Sequence, residues 1–128
     1  MFGALDTAAS GVRLGRVWMD AISDNVANVN TVRPAGEEPY RAREVVAAAR
    51  GGRGVTVAGI VEQGGAPEVV HDPDNPLADE QGYVTRPKVD LSEEMTKMLM
   101  ASRLYQANIS VMQQARDAYN AGLQIGRS

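Results

Sequence analysis

Leu91-Ser92-Glu93-Glu94-Met95-Thr96-Lys97-Met98-Leu99-Met100-Ala101-Ser102-Arg103-Leu104-Tyr105 opens a run that reaches Ile125 with no proline and no glycine before Gly122. A helix interior excludes proline, so this run predicts one uninterrupted helix. Asp90 or Ser92 can cap it, and Glu93 and Glu94 put negative charge in the first turn, where the helix dipole favours it. Steps of four and three trace a stripe through Leu91, Met95, Met98, Ser102, Tyr105, Ile109, Met112, Arg116, Tyr119 and Leu123. A second stripe follows Ala101, Leu104, Asn108, Val111, Ala115, Ala118, Gly122 and Ile125. Two such stripes predict a helix contacted from more than one side.

The other end of the chain has a matching pattern. Leu5, Ala8, Val12, Gly15, Met19, Ile22, Val26 and Val29 form a heptad seam of apolar or small residues. Gly11 and Gly15, four apart, read two ways: a shallow groove for close approach of another helix, or a merely tolerated pair. At about 1.5 Å per residue the two helices would be about 40 and 50 Å long, which is atypical for a compact domain of this size. Two such helices paired alone leave one stripe wet, the mark of an oligomerisation surface.

Between them, Thr31 to Asp90 holds all six prolines and most of the glycines. Strand-like runs Tyr40 to Ala49 and Gly54 to Glu62 flank the turn Arg50-Gly51-Gly52-Arg53. A second turn, Gln63-Gly64-Gly65-Ala66-Pro67, leads into Glu68-Val69-Val70-His71. His71-Asp72-Pro73-Asp74-Asn75-Pro76 must be irregular. The expected fold is therefore mainly α. Two long terminal helices, 1–31 and 91–128, form an antiparallel coiled-coil hairpin, and a small β-hairpin with an extended loop, 32–90, is inserted between them. If the far ends are level, residues whose numbers add to about 128 face each other. Leu5 then faces Leu123, and Met19 faces Ile109.

Composition narrows the chemistry. A net charge of -3 with no basic run argues against nucleic-acid binding. The absence of cysteine removes thiolate catalysis and Cys-ligated metal, and His71, the one histidine, cannot build a zinc site alone. Asp72, Asp74, Asp79 and Glu80 fail the calcium-loop template, since the sixth position from Asp72 is Leu77 rather than glycine. A hydrolase of cell-wall glycan would need two carboxylates held in a cleft, and these acids fall on turns, a helix start or solvent faces. No enzyme activity and no cofactor are expected. No run approaches the roughly 18 apolar residues of a membrane span, and Asp6, Thr7, Ser10 and Arg13 interrupt any secretory signal.

Ser23-Asp24-Asn25-Val26-Ala27-Asn28-Val29-Asn30-Thr31 resembles the N-terminal signature of flagellar rod and hook proteins. Val57 to Val61, His71 to Asp79, Gly82-Tyr83-Val84, Pro87, Val89, Asp90 and Glu94-Met95 are similar to the branch of that family that forms the proximal rod. So are Ser102-Arg103-Leu104-Tyr105-Gln106-Ala107-Asn108, Leu123, Gly126 and Arg127. Lys88 departs from the family's usual Asn, and Arg33 to Pro39 matches no family pattern.

The resemblance implies a structural subunit of the periplasmic rod that carries motor torque and is exported by the flagellar type III apparatus without a cleaved signal. It implies further copies of the chain and other rod proteins as partners, with the terminal helices lining an inner tube around the export channel. Another axial rod or hook subunit, or a helical-hairpin export adaptor, is the alternative. The residues expected to pack subunits are Asn25, Val26, Ala27, Asn28, Val29, Thr31, Tyr105, Gln106, Ala107 and Asn108. The expected seam is Leu5, Val12, Met19, Ile22, Met95, Met98, Ile109, Met112, Tyr119 and Leu123. Asn25, Asn28 and Asn108 are either solvent-facing amides or bond backbone and neighbours where helices meet. The resemblance favours the second reading for Asn25 and Asn28.

Overall fold

The computed structural model describes residues 2–127. In chain order it comprises α1 (Phe2–Ala27), β1 (Arg33–Pro34), β2 (Arg43–Ala49), β3 (Val55–Glu62), β4 (Glu68–His71), β5 (Tyr83–Arg86) and α2 (Leu91–Arg127). Half of the chain is helical and a fifth lies in strands that make two antiparallel sheets. The mainly α expectation, with one small hairpin inserted, is therefore corrected. The region between the helices is a substantial β part with sheet orders β2-β3 and β1-β5-β4.

The physical reason lies at residues 63–67. The two glycines there suggest that β4 folds back onto β3. Instead Gly65, at φ 111°, and Pro67 turn the chain out of the first ladder. The Arg41 guanidinium donates to the Gln63 and Gly65 carbonyls at 3.3 and 3.0 Å and holds this crossing in place. β4 then pairs with β5, Val69 opposite Thr85 and Val70 opposite Val84, a strand that the sequence places within the extended loop. β5 is the central strand of its sheet, so Val84 and Thr85 are buried.

The β2–β3 hairpin docks on α1. Its turn closes with the Arg50 amide donating to the Gly54 carbonyl at 2.8 Å. Gly54 has φ 99°, and a Cβ there would collide with the Ser10 hydroxyl. That hydroxyl donates to the Thr7 carbonyl at 2.6 Å and accepts the Val55 amide at 3.0 Å. α1 is thus sandwiched between this hairpin and α2, and its small residues Ala8, Ser10, Gly11 and Gly15 are buried.

α1 and α2 run antiparallel with Gly15 against Tyr105 and Gly11 against Asn108. A Cβ on Gly15 would lie 3.2 Å from the Tyr105 Cβ, and one on Gly11 would lie 2.5 Å from the Asn108 Cγ. The groove reading of the two glycines is the one the structure adopts, with α2 of the same chain filling it. The level-ended register is corrected: facing residues have numbers adding to about 120 rather than 128. Leu5 therefore does not face Leu123, nor Met19 Ile109. The last two to three turns of α2 extend past the start of α1, and residues 116–127 are exposed.

The interior is modest. Its buried apolar residues are Ala8, Val12, Ala21, Ile22, Ala42, Val84 and Ala101, and only Ile22 and Val84 of these are both large and almost wholly shielded. α2 directs Glu94 and Ala101 inward, with Met98, Tyr105, Asn108 and Met112 half-buried along the same side. This inward face straddles the two stripes rather than following either one.

Candidate assembly interface

Asn25 ends the packed length of α1 and is 1% exposed. Its Oδ1 accepts the Tyr40 hydroxyl at 2.8 Å and the Arg43 amide at 2.8 Å. Its Nδ2 donates to the Arg43 carbonyl at 3.0 Å and to Glu94 Oε2 at 2.9 Å. One amide thus ties the end of α1 to the first residue of β2 and to the first turn of α2. A buried amide is stable only when so satisfied. Burial raises the pKa of the Tyr40 phenol, with Arg43 opposing and the nearby acids reinforcing the shift.

Beside this knot, Lys97 Nζ lies 3.1 Å from Glu93, 3.4 Å from Glu94 and 3.4 Å from Glu44. Burial pushes the Lys97 pKa down, but the three carboxylates together raise it. Glu44 is lowered by the Gln63 amide that donates to it at 2.8 Å, against its partial burial and with help from Lys97. Asp90 caps α2, its Oδ1 accepting the Glu93 amide at 3.2 Å.

The other signature residues close the helix end. The Asn28 side chain donates to the Asp24 carbonyl at 2.8 Å, and the Thr31 hydroxyl donates to Asn28 Oδ1 at 3.0 Å. Val26 and Val29 are half-buried and Ala27 is exposed. Asn108 donates to the Leu104 carbonyl at 2.8 Å while lying over Gly11. Tyr105 is half-buried on Gly15, and Gln106 and Ala107 are exposed on the outer side. Of the seam residues, Val12 and Ile22 are buried, and Leu5, Met19, Met98, Ile109 and Met112 are half-buried. Met95, Tyr119 and Leu123 are exposed, at 59%, 40% and 50%. The structure thus gathers Asn25, Ile22, Tyr105 and Asn108 between elements and leaves the ends of the α2 seam in solvent.

Tyr40, Arg43, Glu44 and Lys97 complete the knot without any local signal in the sequence. Their partners lie on other elements, so no spacing rule finds them. Among the described residues no cluster of three metal-ligating side chains forms, and no helix is long and apolar enough to cross a membrane. Asp72 and Asp79 instead shape their own loop, accepting from Asn75 and from the Gln81 and Tyr83 amides.

The two helical ends are also where known proteins match. A family model described as "Flagella basal body rod protein" covers residues 5–34, and one described as "Flagellar basal body rod FlgEFG protein C-terminal" covers residues 80–125. The flagellar basal-body rod protein FlgC of Salmonella typhimurium is 34% identical over 99% of this chain and 98% of its own length. The FlgC proteins of Borreliella burgdorferi and Bacillus subtilis are 32% and 33% identical, each over 98% of this chain. The chain belongs to the FlgC family of flagellar basal-body rod proteins. It is a structural subunit of the flagellar basal body. The β part between the two family-model matches is included in the FlgC alignments, so the likeness spans helices and sheets together.

Proposed function

We propose that the chain builds the proximal part of the rod, joining other copies of itself and other rod proteins in a tubular shaft that carries torque around the export channel. The observation that carries this reading is the length of α2 left uncovered. It passes the start of α1 and keeps Leu123 at 50% and Val111 at 44% exposure, while Leu99 and Met100 are 64% and 56% exposed near its other end. A chain with so small an interior and so much apolar helix surface completes its burial only among neighbours.

In this reading residues 1–31 and 91–128 form the inner layer and residues 32–90 lie further out. Asn25 and its partners fix the angle between the layers, and the seam ends Met95, Tyr119 and Leu123 meet adjacent subunits. The role is non-enzymatic. Glu44, Glu93 and Glu94 surround Lys97 rather than facing each other across a substrate cleft. Passage to the periplasm through the flagellar export apparatus belongs to the same reading.

The test is genetic. Source cells lacking the gene should assemble neither rods nor filaments, and the intact gene should restore both. Deleted cells that still swim would contradict the proposal.

A further inference from the structure

Two sets of arginines differ in their partners. Arg41, Arg43 and Arg86, with Lys97, all have acceptors near the joined ends of the two helices. Arg13, Arg16 and Arg50, by contrast, are exposed, and among the described residues no carboxylate or side-chain acceptor reaches their guanidinium groups. Asp6 and Asp20 lie on the same helix, but neither comes within ion-pair distance of them. Arg13 and Arg50 stand on either side of a cleft of about 220 Å³ between α1 and the β2–β3 hairpin, whose apolar lining is Leu14, Val17, Val55 and Val57. The cleft therefore has an apolar floor and a cationic rim.

The opposite pattern occurs in the loop between β4 and β5. No lysine or arginine falls between Arg53 and Arg86, whereas Asp72, Asp74, Asp79 and Glu80 do. Asp72 and Asp79 are engaged in holding the loop, but Asp74 and Glu80 are exposed and have no partner among the described residues. They stand three residues before and three after Leu77, which is 43% exposed. The loop is already rigid. The Asp72 amide donates to the Gly82 carbonyl at 2.8 Å, Ala78 to Asn75 at 2.9 Å and Asp79 to Tyr83 at 3.0 Å. A loop ordered beforehand loses little entropy on docking.

We infer that Leu77, flanked by Asp74 and Glu80, seats in the cleft flanked by Arg13 and Arg50 of a second copy of this chain. In its own chain the loop does not line the cleft, whose walls are residues of α1 and the β2–β3 hairpin. The loop's sheet is instead tied through Arg86 to Asn30, past the end of α1 and about twenty Å from Val17. The two surfaces are different patches of one molecule, so the contact is head-to-tail and repeats into a ring or a helix. The apolar knob supplies burial and the charges set partner and register. The inference rests on the rod reading only in requiring copies side by side.

A chain without cysteine allows a direct test. Thr56, at the cleft, and Leu77 are both exposed, so Thr56→Cys with Leu77→Cys should fold and should supply the only two thiols. Oxidised basal bodies from cells expressing this double variant should give a ladder of covalent oligomers on a non-reducing gel. Variant present in basal bodies but only as monomer would overturn the contact and leave the rod reading standing.

The purified full chain at high concentration gives an answer even if the double variant fails to enter rods. Disulfide dimers between a Thr56→Cys copy and a Leu77→Cys copy should fall about tenfold when the first also carries Arg13→Glu and Arg50→Glu. They should return when the second carries Asp74→Arg and Glu80→Arg. A yield indifferent to both changes overturns the inference.

Discussion

Asn25 uses its full hydrogen-bonding capacity inside one chain, joining α1 to β2 and α2 at a point that water does not reach. Removing it leaves both the Arg43 amide and Glu94 Oε2 without this partner. Asn25→Ala is therefore expected to cost about 2–4 kcal/mol, read as a fall in the urea midpoint. A loss within about 0.5 kcal/mol would show that the knot relaxes or hydrates freely.

The neighbouring Lys97 cluster predicts two limbs of pH dependence. Glu44 is lowered, so its contribution is present above pH about 4.5 and is lost as pH falls through its folded-state value. Lys97 is raised, so its contribution is present below pH about 10.5 and is lost as pH rises through its folded-state value. Because Glu44 is largely exposed, Glu44→Gln should flatten the acid limb by well under 1 kcal/mol. An unchanged acid limb would remove Glu44 from the linkage. Asn25 was legible in the sequence as an amide at a helix end. Its partners were not, because Tyr40 and Arg43 reach it from just before and at the start of β2, and Glu94 from α2.

At the scale of the elements, both helices were legible from their periodicity and the absence of proline, and α2 also from its cap. Their register was not. A heptad seam meshes equally well after a slide of seven residues, and the observed pairing differs from the level-ended one by about one such step. The register is chosen instead by small residues and by the Asn25 knot. Gly11 and Gly15 lie under Asn108 and Tyr105, where a larger residue would push the helices apart.

This gives a double-mutant test. Gly11→Ala should destabilise, because its Cβ displaces Asn108 from the Leu104 carbonyl. In an Asn108→Ala background the same change should be neutral or should gain about 1 kcal/mol of helix propensity. Equal losses in both backgrounds would place the crowding elsewhere. The sheets were only half legible. The β2–β3 hairpin announces itself through Gly51-Gly52, whereas β5 owes its place to a partner fifteen residues upstream that its four residues do not specify.

For the molecule as a whole, the two ends of the helix pair differ. The joined ends are knotted by hydrogen bonds, and the free end of α2 carries apolar surface into solvent. The most direct measurement is a density map of the rod in basal bodies purified from the source bacterium. The account predicts this chain in the proximal segment, with Asn25 against Glu94 of the same copy, α1 and α2 facing the channel, and residues 113–127 covered by adjacent subunits. Density showing residues 113–127 in open solvent, or the helices outside and the sheets lining the channel, would contradict it.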